Sequence, residues 1–223
     1  SVFSNPSAFL VGTGVSVTYL DADRKGHSSL SDLQETLRPE TIMISSMIVN
    51  NEIGAVVPVE EIGRIVKAYR PSILFHVDAI QAYGKYEIRP KKQNIDLLSV
   101  SGHKIHGPKG VGFLYLNEKA KVRPLLFGGG QQRDMRSGTE NVPGAAGLGL
   151  AAKEMYTGVS DRIRKMTELK DYFIDRVSEL EGITVNSEKG LESAPQIISV
   201  SFQGVRGEVL LHALEDKGIY VSS

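Results

Sequence analysis

The chain alternates short apolar runs with amphipathic stretches, and these two periods predict most of its elements. Val15 to Leu20 is rich in β-branched and aromatic residues and predicts a strand, followed by a polar turn over Asp21 to Gly26. Ser31, with Gln34 three residues on, forms a capping-box pattern, and the helix it opens should end before Pro39. Thr41 to Val49 is mostly apolar and β-favouring and reads as a strand buried on both faces, broken by Asn50-Asn51-Glu52-Ile53-Gly54. Ile62, Ile65, Val66 and Tyr69 follow the i, i+3, i+4, i+7 spacing of an amphipathic helix, which Pro71 stops. Ile73 to Val77, Ile95 to Val100 and Val111 to Leu116 then read as three further strands.

Strands alternating with helices predict an α/β fold: a mostly parallel sheet flanked by helices. The pattern changes after about residue 140. Val142 to Tyr156 reads as an alanine-, leucine- and glycine-rich helix, and Ser160 as the cap of a second helix carrying Ile163, Met166, Phe173, Val177 and Leu180. Strands at Ile183–Asn186 and Gln196–Phe202, a helix at about 207–217 and a strand at Ile219–Val221 complete the pattern. This tail predicts the start of a smaller α+β domain, so the expected division is 1–157 and 158–223. Tyr19, Tyr69 and Phe173 fall on apolar faces and are expected in the core. Lys165, Lys170 and Arg176 are expected to be solvated.

Composition narrows the function. The 26 basic and 26 acidic residues cancel, which argues against a nucleic-acid partner. No stretch approaches the ~18 apolar residues of a membrane span, and no export signal is evident, so the expected location is the cytoplasm. There are no cysteines, which removes disulfides, cysteine zinc sites and cysteine nucleophiles from this chain. His103 and His106 have an H-x-x-H spacing without accompanying carboxylates, so no metal site is expected. Gly107-Pro108-Lys109-Gly110 lacks the full phosphate-loop pattern and reads as a turn. Gly128-Gly129-Gly130 reads equally as an anion-approach loop and as a flexible connection. Ser137 has no histidine and aspartate partners for a triad.

In open α/β sheets, ligands bind beyond the carboxyl ends of the strands. Three successive predicted strands here end in polar residues: Asn50-Asn51, then Asp78 with Gln81, then Ser101-Gly102-His103-Lys104. Singly, each has a plain structural explanation as a turn, a cap or a surface charge. Together they suit pyridoxal phosphate (PLP), which uses a lysine amine for its aldehyde, a carboxylate for its ring nitrogen, and hydroxyl, imidazole and N–H groups for its phosphate.

Four ordered segments carry a family resemblance: Val49 to Gly54, Phe75 to Gln81, Ser101 to Gly110, and Gly128 to Arg133 with Arg136 to Asn141. They resemble the cysteine desulfurases, fold-type I PLP enzymes grouped with the class V aminotransferases, in the branch of housekeeping and nitrogen-fixation desulfurases. The resemblance implies PLP as cofactor and L-cysteine as substrate, with sulfur passing to an enzyme persulfide for iron–sulfur cluster or thio-cofactor assembly. It implies that Lys104 carries PLP as an internal aldimine and moves the substrate Cα proton. By the same resemblance, Asp78 pairs with the pyridine nitrogen and Gln81 with the ring hydroxyl. Asn51 lies beside the ring hydroxyl and substrate, and Ser101, Gly102 and His103 bind the phosphate. Thr139 reaches the neighbouring subunit's phosphate, which implies a homodimer with shared sites. A sulfur-acceptor or scaffold protein is the implied partner.

The sequence departs from the family pattern in lacking the nucleophilic cysteine. Gly218 to Ser223 resembles the segment just before the family's Gly-Ser-Ala-Cys loop, and Ser1-Val2 the position just after its ring-stacking histidine. Ser1-Val2-Phe3-Ser4 also opens with neither a methionine nor a cap. The expectation is an internal segment of a longer enzyme, inactive by itself. Two alternatives remain open: a related class V lyase or aminotransferase, such as a selenocysteine lyase, and a non-catalytic dimerising module.

Overall fold

The computed structural model describes residues 4–191 and 193–222. Ser1, Val2, Phe3 and Ser223, on which the readings of the two chain ends rest in part, lie outside the described residues. Helices α1 (Ser4–Gly12) and α2 (Leu30–Thr36) come first. The elements β1 (Met43–Met47), α3 (Val59–Tyr69), β2 (Leu74–Asp78), β3 (Leu97–Ser101) and β4 (Gly112–Leu116) follow. After them come α4 (Val142–Tyr156), α5 (Val159–Val177), β5 (Ile183–Val185), β6 (Val200–Phe202) and α6 (Gly207–Glu215). A 3₁₀ turn spans Gly102–Ile105.

One sheet has the order β1-β2-β3-β4; β1, β2 and β3 run parallel and β4 antiparallel. The expected mostly parallel α/β sheet is therefore present. Its centre is dry. Phe75, Val77, Ile73 and Ile95 are fully buried, and Val66, Ile62 and Ile65 of α3 pack on the same core. Burying such side chains stabilises by roughly 1.5–3 kcal/mol each, which suits continuous apolar runs in parallel strands. A second, two-stranded antiparallel sheet pairs β5 with β6.

Several expectations fail for identifiable reasons. Val15 to Leu20 forms no strand. Val15, Val17 and Leu20 are half-buried, but no neighbouring ladder pairs with the segment among the described residues. Likewise Ile219–Val221 forms no strand. Strand β1 is not buried on both faces: it is the outer strand of the four, and Met43 is 45% exposed. Ser29, not Ser31, caps α2, with its Oγ accepting from Asp32 N at 3.2 Å. Helix α5 is preceded by Gly158 in the left-handed region at φ +66° rather than capped by Ser160. Tyr19, Tyr69 and Phe173 are all exposed rather than in the core.

Lys170 reverses its expectation most sharply. It is 1% exposed and shares the inner stripe of α5 with Ile174 and Val177. Its Nζ donates to the carbonyls of Gly190 (3.0 Å) and Ser193 (2.9 Å). Burial lowers its pKa, while Asp171 and Glu188 oppose the shift. The fixed carbonyls compensate the desolvated ammonium, so charge alone was a poor guide to exposure. Lys170→Met is expected to leave both carbonyls unpaired and to cost about 2 kcal/mol of stability, read as a lowered urea midpoint. A midpoint equal to that of the unaltered protein would show that the clamp is dispensable. Because the folded pKa is lowered, the burial penalty is present at neutral pH and eases as the pH rises towards 10.5.

Candidate active site at the carboxyl end of the parallel strands

Backbone register brings the three polar segments to one end of the sheet. Met47 pairs with Asp78, and Asp78 with Ser99, two residues before Ser101. Ile48 N donates to the Asp78 carbonyl, and Ala79 N to the Ser99 carbonyl, each at 3.0 Å. Asn50-Asn51, Asp78 to Gln81 and Ser101 to Lys104 therefore leave neighbouring parallel strands in the same direction.

The first segment folds back on itself. Asn50 Oδ1 accepts from Glu52 N at 2.8 Å and Ile53 N at 3.1 Å, an Asx turn that presents Asn51 to solvent. Gly54 closes the return at φ +81°. A Cβ there would lie 2.9 Å from Ser193 Oγ and 3.2 Å from Ile197 Cβ.

Asp78 is 6% exposed at the end of β2. Its Oδ1 accepts from Ile80 N at 2.8 Å, and Oδ2 has no hydrogen-bond partner among the described residues. An oxygen that meets no protein donor leaves an acceptor open to a cationic or N–H-bearing ligand. Gln81 is half-buried, three residues on.

The third segment enters the 3₁₀ turn. Gly102 N donates to the Val111 carbonyl at 2.8 Å, tying the turn to the approach to β4. Ser101 Oγ and His103 Nδ1 lie 2.7 Å apart. His103 and Lys104 are exposed, and His106 ends the turn at φ +62°. A hydroxyl and an imidazole suit an anionic group. With the Asp78 carboxylate and the Lys104 amine at the same sheet end, these side chains are of the types that PLP uses.

No hydrogen bond ties Thr139 to these residues among the described ones. It is exposed and forms no hydrogen bond among the described residues. It follows a loop held closed by Ser137 Oγ on the Gly129 carbonyl at 2.8 Å and by Gly138 N on Gln131 Oε1 at 3.1 Å. Gln132, Arg133 and Asp134 there are consecutively left-handed.

Sequence reasoning missed two features. His76 spans three strands: Nδ1 lies 2.7 Å from Ser45 Oγ and Nε2 lies 2.8 Å from Ser99 Oγ. Burial lowers its pKa, with Asp78 opposing. The two-residue strand period already puts His76 on the face of Asp78, so this signal was available. The second is support from the segment around 187–196. Ser187 Oγ donates to the Ile53 carbonyl (2.7 Å), Ala194 N to the Gly54 carbonyl (2.7 Å), and Gln196 Nε2 to the Gln81 carbonyl (2.9 Å). No local pattern predicts contacts over more than 100 residues.

An open cleft elsewhere, at the opposite end of β2, is lined by Lys67, Leu74, Asp96 and Asn117. Lys67 Nζ there meets Asp96 Oδ2 at 2.5 Å and the Ile73 carbonyl at 2.6 Å, while Phe75 N donates to Asp96 Oδ2 at 2.8 Å. Those groups satisfy one another and brace β2.

The mostly parallel sheet with these strand ends is the architecture of NifS-like, fold-type I enzymes. A solved NifS-like protein superposes with a TM-score of 0.92 at 38% identity, covering 97% of this chain and 59% of that one. The apo cysteine desulfurase from Thermococcus onnurineus NA1 gives 0.90 at 27% identity, covering 99% and 59%. The family model for aminotransferase class-V matches residues 4–223, and the chain belongs to that family. Within it the similarity runs to the cysteine desulfurases. The cysteine desulfurase IscS of Methanosarcina thermophila is 44% identical over 216 residues, 97% of this chain and 53% of the relative. That of Dictyoglomus turgidum is 41% identical over 219 residues, 98% and 55%. The chain spans about half the length of the curated relatives it matches.

Gly54→Ala is expected to displace the Asn50–Ile53 turn, because the new methyl meets Ser193 and the backbone remains left-handed. A loss of about 1–2 kcal/mol in chemical denaturation is expected. Unchanged stability would show that the turn is not held against Ser193.

Proposed function

We propose that this chain carries the PLP site of a cysteine desulfurase, which removes sulfur from L-cysteine to leave alanine and an enzyme persulfide. The observation that carries the reading is the free Oδ2 of buried Asp78, at the same sheet end as the turn bearing Lys104. When bound, PLP would supply an aldehyde for covalent linkage to a lysine and a ring that holds the electron pair left on substrate carbon.

The chain's own residues have distinct tasks in this reading. Asp78 keeps the ring nitrogen protonated through its free oxygen. Gln81 and Asn51 bond the ring hydroxyl, and Asn51 also borders the substrate. Ser101, Gly102 and His103 line the phosphate position. Lys104 supplies the amine and moves the Cα proton at its Nζ. Thr139 serves the phosphate site of a second subunit, so the working protein is a homodimer with shared sites. A cytoplasmic location and a sulfur-accepting protein partner belong to the same reading. So does a division at about residue 157, between 1–157 and 158–223, supported by the two separate sheets and by left-handed Gly158.

Sulfur transfer forms a bond between the substrate sulfur and an enzyme thiolate while the substrate C–S bond breaks. No thiol occurs among the 223 residues, so this polypeptide alone is expected to release no alanine or persulfide from L-cysteine. Detection of either product would overturn that statement.

The whole protein is expected to turn yellow with PLP, and borohydride should fix the cofactor on Lys104. Peptide mapping that finds no modified Lys104 would remove the reading and favour a non-catalytic dimerising module, which the lack of cysteine would then suit. Asp78→Ala is expected to lower turnover about 100-fold or more while PLP content falls far less, because Asp78 acts on the ring and not on the phosphate anchor. Parallel loss of both would contradict its assigned role.

A further inference from the structure

Lys85 lies between β2 and β3 and takes no part in the site described above. It is only 8% exposed. Its Nζ donates to the backbone carbonyl of Lys104 at 3.3 Å, and no carboxylate pairs with it among the described residues. A desolvated ammonium with a single neutral acceptor is costly, and a surface position would remove that cost.

The surroundings hold Lys85 in place. A Cβ on the preceding Gly84 would lie 3.0 Å from Met155 Cβ on α4 and 3.1 Å from Ile105 Cγ2 on the 3₁₀ turn. The chain there is thus clamped between α4 and the turn that bears Lys104. Tyr83 packs edge-on against Tyr156 with ring centres 5.4 Å apart, and Tyr156 Oη donates to the Tyr86 carbonyl at 3.3 Å. Burial lowers the Lys85 pKa, and the charge of Lys104 pushes it the same way. The other titratable groups on the packed elements are Tyr83 and Tyr86 on its own segment, Lys153, Glu154 and Tyr156 on α4, and His103 and His106 at the turn. Burial raises the three phenols, which stay neutral.

We propose that Lys85 is a positioning residue for Lys104. It holds the backbone carbonyl of Lys104 and so fixes the turn that presents that residue. An apolar side chain of similar length could fill the space but could not supply the hydrogen bond.

This role rests on the PLP reading, and the test separates the two. The whole protein, freed of cofactor, is mixed with PLP. Covalent capture at Lys104 is followed by its visible band and by borohydride trapping across a range of pH. Lys85→Met is expected to slow capture about tenfold, because the turn loses the hydrogen bond that holds Lys104 in place. Phosphate-anchored PLP affinity should stay near that of the unaltered protein, and Lys85→Arg should restore much of the rate. Thermal melts check that each variant is folded. Should Lys85→Met fail to fold, Lys85→Gln provides the same comparison. Capture by Lys85→Met at an unaltered rate overturns the role of Lys85 alone. A slowed rate that arginine does not rescue also overturns it, because packing would then account for the loss. No capture by the unaltered protein overturns the PLP reading and this role with it.

Discussion

The parallel register of β1, β2 and β3 is the constraint on which the candidate site depends. Met47, Asp78 and Ser99 lie side by side, so each chain leaves the sheet at nearly the same level. Parallel strands are joined by long crossovers, and here these bury Phe75, Val77, Ile95 and Leu98 between layers. A one-residue slip of β2 would turn His76 and Asp78 to the opposite face and put apolar neighbours into the site. The row from Ser45 through His76 to Ser99 adds polar contacts specific to the observed register.

Chemistry is placed on loops, and loops need outside support. The Asn50–Gly54 return has its own Asx turn, yet Ser187 and Ala194 also bond its carbonyls. Gln196 does the same for Gln81. Lys170, buried in α5, holds the carbonyls of Gly190 and Ser193 and so steadies the segment that makes these contacts. The smaller, later part of the chain therefore acts as a brace on the site at the end of the larger sheet. On the other side, α4 and the Tyr83–Lys85 segment brace the turn carrying Lys104.

Much of this was legible in advance where a local period and local chemistry agree. The α3 helix and strands β2, β3 and β4 follow directly from apolar spacing, with Pro71 just beyond the α3 end. The candidate residues at the strand ends were also legible, because a polar residue after an apolar run marks the exit from a sheet. Errors arose where exposure depends on neighbours. Val15 to Leu20 has strand composition but no ladder, and Tyr19, Tyr69 and Phe173 have core composition but no cover.

By itself, the sequence determined the alternation of elements, the α/β class and the types of side chain at each strand end, since these depend on periods of two and 3.6 residues and on turn chemistry. Four segment patterns also pointed to the family. Only the tertiary structure decided which polar groups are buried and what they touch. Lys85 and Lys170 look like surface lysines along the chain, and only their burial against distant carbonyls separates them from Lys165. The physical reason is that desolvation and hydrogen-bond geometry depend on every element packed around a group, whereas propensity depends on a few adjacent residues.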